Sequence, residues 1–182
     1  MIIASQKRKE NIAEYILYMW QIEDLIRANN LDLVQIKSNV IDRFTSLTPE
    51  QRKEMEQWYE GLMQMMRDEN VTQSGHLQIN RNIVSELASF HQHLLSCPGH
   101  DDYKAEYYRT LPFIVELRAK AGENKASEIE TCLNALYGLL LMRLKQQEIT
   151  PQTLDALKQI SRFMAMLTHY FKLNEQKPLD GE

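Results

Sequence analysis

Glycine, proline and cysteine are scarce: six, five and two among 182 residues. Strands need turn clusters and alternating apolar–polar runs between them, and neither occurs, so a sheet protein is excluded. No stretch approaches the roughly 18 apolar residues of a membrane span. Residues 1–9 lack the apolar core of a secretory signal and run into the charges Lys7-Arg8-Lys9, which predicts a cytoplasmic protein. Basic charge is not in excess either. Lys and Arg number 21 against 25 Asp and Glu, for a net charge of −4, and a polyanion partner calls for a basic face. The two cysteines, Cys97 and Cys132, form no ligand spacing and read as reduced core thiols. Gly-rich phosphate loops, nucleophile elbows and His-Glu-x-x-His are all missing. So are the paired Glu-x-x-His motifs of a di-iron bundle. His91 and His93 sit two apart, on opposite flanks of one helix, and cannot chelate a metal together. No cofactor is expected.

What remains is helix. Hydrophobic residues make up 43% and charged residues 25%, ordinary for a globular chain. The few Gly and Pro residues mostly punctuate. A first helix spans Glu10 to Asn29 and a second about Asp32 to Ser46, with Leu33, Ile36, Val40, Phe44 and Leu47 inward. Thr48-Pro49-Glu50-Gln51 is a capping box with proline at N1, opening a third helix to about Asn70. The loop Val71–Gly75 precedes a fourth, about His76–Ser96, with Ile79, Ile83, Leu87, Phe90 and Leu94 as its stripe. Asp101 or Asp102 starts a fifth, which Pro112 should kink or divide near Thr110 and Gly122 should end. The sixth, Ala126–Gln147, is apolar nearly all round through Leu133–Leu144, which marks it as the central buried helix. Gly138 within it suggests close approach to another helix. Thr150-Pro151 opens the seventh. The expectation is an all-α, single antiparallel bundle of about six or seven helices. It forms one domain over residues 1–174, with possible halves 1–71 and 76–174, and a flexible tail over 175–182.

Two residues break the pattern. On the first helix, Ile12, Tyr15, Ile16, Met19, Ile22 and Ile26 form one apolar face. Glu23 falls about 20° from Ile12 at 100° per residue, inside that face. A buried carboxylate must be paired. Arg27, one turn on, is one partner in the favourable order; a carboxylate facing an interhelical cavity is the other reading. Arg143 lies on a core stripe of the sixth helix beside Leu136 and Leu140. It pairs with Glu23 as the one similarly misplaced acid, or it snorkels to solvent from the helix end. Trp20, at the flank of the apolar arc, and Tyr15 complete the set, as pocket wall or interface.

The run KRKENIAEYILYMWQIEDLIRAN, Lys7 to Asn29, resembles the opening of an uncharacterised bacterial all-helical family filed as a domain of unknown function, and the likeness extends over most of the chain. It implies an all-helical cytoplasmic protein and carries no activity, cofactor or site residue with it. From the residues, no catalytic group and no metal site is expected. The function expected is a non-catalytic helical bundle for protein–protein interaction or self-association, as a possible homodimer, without nucleic acid or membrane. The alternative is a small-ligand binder or enzyme with a pocket near Glu23, Arg143 and Trp20.

Overall fold

Helices make up all the regular structure among residues 2–120 and 126–176, which the computed structural model describes. They are α1 (Ile2–Glu10), α2 (Ile12–Ala28), α3 (Leu33–Asn39), a 3₁₀ turn (Ile41–Arg43), α4 (Pro49–Asp68), α5 (Gln78–Ser96), α6 (Asp101–Lys120), α7 (Glu128–Leu144) and α8 (Pro151–Gln176). The all-α class is as expected, with eight α-helices among the described residues rather than six or seven. One extra helix arises at Asn11. Its side chain accepts from the backbone N–H of Ala13 at 3.0 Å, which restarts the helix and leaves Ile2–Glu10 as a separate one. The chain divides into two compact units. One comprises Met1–Glu10 and Glu14–Asn82, the other Asn11–Ala13 and Ile83–Glu182.

In the first unit, α3 packs on the 3₁₀ turn and on α4. The expected helix over 32–46 stops at Asn39 because side chains compete for its end. Asn39 donates to the Asn29 side chain at 2.8 Å. Arg52 donates to the Ile41 and Phe44 carbonyls and pairs with Asp42 at 2.7 Å. The tighter turn buries Ile41 completely and leaves Phe44 exposed, reversing the expected inward role of Phe44. α4 begins as the sequence predicts. Thr48 caps it, the Gln51 side chain returns to the Thr48 N–H, and Pro49 sits at N1. Met55, Tyr59, Leu62, Met63 and Met66 are its buried face.

In the second unit, α6, α7 and α8 pack pairwise on one another, around fully buried Tyr103, Ile114, Ile129, Leu133 and Phe163. Pro112 does not divide α6, which runs unbroken from Asp101 to Lys120. Tyr108 and Pro112 are both exposed, so the Tyr108 carbonyl that loses its donor lies on the wet side of the helix. α7 is capped by Ser127, whose hydroxyl accepts from the Glu130 N–H at 3.1 Å. That Ser-x-x-Glu signal stands in the sequence beside the Ala126 start read above. α8 opens at Thr150-Pro151, as expected. Gly122, Pro178 and Gly181 lie outside the described residues.

The α4 cap gives a direct check. Thr48→Ala removes the hydroxyl acceptor and should lower stability by about 1 kcal/mol, read as a lower urea midpoint at unchanged slope.

Candidate functional site

Glu23 is fully buried, as its place on the α2 face requires. Its partner is neither Arg27 nor Arg143. The His76 Nδ1–H donates to Oε2 at 2.6 Å, since an ionised carboxylate only accepts. Oε1 accepts from the Leu77 backbone N–H at 3.0 Å and from Asn80 Nδ2 at 2.6 Å. Leu77 directly precedes α5. Glu23 therefore caps α5 from a distant part of the chain, with negative charge where the helix presents free N–H groups. Trp20 is buried and stacks on the His76 ring, with centroids 4.3 Å apart and planes 15° from parallel.

Arg27 extends the same contact. It pairs with Asp24 at 2.8 Å rather than with Glu23, and donates to the carbonyls of Val71 and Gly75. Trp20, Glu23 and Arg27 share a helix face at spacings of three and four, which is how one face of α2 grips the segment 71–80. Gly75 holds φ 85° in that segment, a conformation glycine adopts without strain. Asn80 is fully buried while Ile79 is 44% exposed, against the expected stripe. The carboxylate needs a donor at that position more than the core needs another aliphatic group. Sequence reading passed over His76 and Asn80. The clue was the lone acid on an apolar face, which demands donors from elsewhere.

Chemically this is a saturated carboxylate. Orientation of His76 through Nδ1 leaves its Nε2 as an acceptor, but no nucleophile accompanies it among the contacts of the cluster. Tyr15 is buried, with the Arg8 guanidinium 5.8 Å from its ring centroid. Arg143 is exposed near the end of α7, which agrees with the snorkelling reading. Removing the acceptor strands three donors, so Glu23→Ala should cost about 3 kcal/mol or more in denaturant unfolding. Glu23→Gln, which still accepts, should cost less; an Ala loss below about 0.5 kcal/mol, as at a neutral surface site, would refute the capping role.

A second buried polar cluster lies in the second unit. His91, read above as a flanking histidine, is 1% exposed. Its Nδ1 meets the Tyr103 hydroxyl at 2.6 Å and its Nε2 lies 3.3 Å from Glu128. The Tyr107 hydroxyl donates to Glu128 at 3.0 Å. Burial lowers the His91 pKa, against the opposing pull of Glu128. Burial, aided by the bond to Glu128, pushes Tyr107 up to about 12, and burial also raises Tyr103. Desolvation, then the charge of Glu128, pushes the Cys132 thiol up to about 12, which makes it a poor nucleophile. Both cysteines are free thiols. Among the described residues no group of three or more His, Cys, Asp or Glu side chains could hold a metal ion.

The His91 shift has a pH signature. With the folded pKa depressed, the unfolded chain binds the proton first as pH falls through about 6.5. Stability should therefore be insensitive to this group well above that pH. Below it, stability should decline by at most about 1.4 kcal/mol per pH unit until the folded pKa is passed. Urea midpoints from about pH 8 to about pH 5, compared with His91→Gln, should show the slope shrink in the variant.

α7 departs most from expectation. Only its first turns are fully buried, at Ile129, Cys132 and Leu133. Every residue from Ala135 to Met142 is only half-buried, and Leu144 is 69% exposed. The expectation that it is the central helix is thus corrected: the core of its unit uses two turns and leaves the rest of an all-round apolar helix incompletely covered. Among the described residues Gly138 marks no close approach of another element, because a Cβ built on it meets nothing within 4 Å outside its own helical backbone. A cleft of about 160 Å³ opens elsewhere in this unit, between the end of α6 (Phe113, Leu117) and the start of α8 (Thr153, Leu157). Trp20, Glu23, Arg27 and Arg143 do not line it.

A family model described as Domain of unknown function (DUF4924) matches residues 1–178, and the chain belongs to that family. No curated protein and no solved structure matches it.

Proposed function

We propose that this member of the family is a non-catalytic helical protein that associates through α7 with another protein chain, in the first instance a second copy of itself. The observation that supports this is the half-exposed run Ala135–Met142. A helix apolar on all sides is stable when covered on all sides, and contiguous apolar surface left open to solvent marks interaction sites; here that surface is half-covered. The buried acid and the buried histidine, the two places where chemistry would be sought, have their hydrogen-bonding capacity taken up inside the fold. A carboxylate with three donors is stabilised in place and offers nothing to a substrate.

No helix among the described residues is long and apolar enough to cross a membrane, and a protein surface is the cover for α7 in this reading. Native mass spectrometry with a denatured control tests it. The expected result is an assembly above the 21.4 kDa of one chain with no small-molecule mass, and a shift to single chains for Leu141→Lys. A single chain at every concentration overturns the reading. So does a stoichiometric small-molecule mass that leaves on denaturation.

A further inference from the structure

Within α7, the residues facing away from its buried side form a stripe: Glu130, Asn134, Tyr137, Gly138, Leu141 and Lys145. At 100° per residue they span an arc of about 100°, centred opposite Cys132 and bounded by the buried Thr131 and Leu133. None is buried: Asn134 and Lys145 are exposed and the other four are half-buried. Read from either end, the stripe is its own complement. An antiparallel copy placed with its centre between positions 137 and 138 brings Glu130 to Lys145, Asn134 to Leu141, and the Tyr137 ring to Gly138. Each of these contacts occurs twice.

We propose that two copies of the chain pair through α7 in this antiparallel register, about a two-fold axis between Tyr137 and Gly138. The proposal rests on the self-association reading and adds the geometry. Three observations support the register. Gly138 is a notch in α7, with no atom outside its own helical backbone within 4 Å of the point a Cβ would occupy among the described residues, and an aromatic ring is the shape that fills such a notch. The charges at the two ends are opposite, acidic at Glu130 in the first turn and basic at Lys145 at the C-cap, so antiparallel pairing matches them and parallel pairing opposes them. Neither charge has an ion-pair partner within the chain among the described residues. An isologous contact of this kind closes on itself as a dimer and does not propagate. One helix against its copy lies at the low end of interface size, so the dimer should dissociate on dilution.

Sedimentation velocity over a wide concentration series, with thermal melts as a fold check, tests the register. Gly138→Leu fills the notch. Because glycine is a poor helix former and an added Cβ meets open space among the described residues, the variant should melt no lower than wild type, yet dimerise at least tenfold more weakly. Glu130→Lys and Lys145→Glu should each weaken dimerisation in the same way. An equimolar mixture of the two should recover it, because each unlike pair then meets its complement. The double variant in one chain should recover it as well. A wild-type dimer indifferent to Gly138→Leu and to both charge reversals overturns the register and leaves self-association standing. A wild type that stays a single chain throughout overturns both.

Discussion

The carboxylate of Glu23 fixes the conformation of a long stretch of the first unit. An ionised group at zero exposure is tolerable only where donors compensate its lost hydration. Those donors are His76, Leu77 and Asn80, more than fifty residues along the chain. The requirement reaches further than three bonds. It sets the entry of α5 by capping it, it turns Asn80 inward and Ile79 outward, and it holds His76 where Trp20 can stack on it. Arg27 adds a second anchor one turn away, on the carbonyls of Val71 and Gly75. A loop poor in apolar side chains is thus ordered by polar contacts from one face of one helix. Such contacts are directional, so they specify a register that hydrophobic burial alone would leave open.

How much of this could be read beforehand depended on whether the signal was local. Helix starts were legible at Thr48-Pro49 and Thr150-Pro151, because a cap and an N1 proline act within four residues. The burial of Glu23 was legible too, since helical geometry places it on the apolar face whatever surrounds it. Its partners were not. Pairing with Arg27 was the local solution, and the fold uses a non-local one: Arg27 turns to Asp24 and to loop carbonyls instead. The early stop of α3 is of the same kind, because Asn29 and Arg52 compete from outside the helix for its last turn. Periodicity places Ile79 on the stripe by a small angular margin, and one buried acid is enough to rotate that choice by one residue.

α7 shows the opposite limit. Its sequence is apolar on nearly all sides, and the inference that the chain itself covers all of them was where the reading failed. A hydrophobic pattern reports that a surface avoids water; it does not report whose atoms replace the water. Gly138 illustrates the same ambiguity. Close approach to a neighbouring helix was the expectation, and the space above the glycine is open. In the dimer the neighbour would be the Tyr137 ring of the second copy, so the expectation would hold between chains after failing within one.

The two anomalous places in the molecule therefore carry different meanings. At Glu23 the anomaly is an expensive group that accepts from three donors inside the fold, which points to structure, although the Asn80 Oδ1 beside it is buried with no hydrogen-bond partner among the described residues. At α7 the anomaly is an apolar surface whose needs are met only in part. Under the association proposed above, function is best sought where the folded chain leaves something unfinished, because binding is the step that finishes it. By that criterion Arg143, exposed at the end of the half-covered helix, remains of interest for its position beside the α7 surface rather than for any bond to Glu23. The buried His91 cluster belongs with the framework of the unit that carries α7.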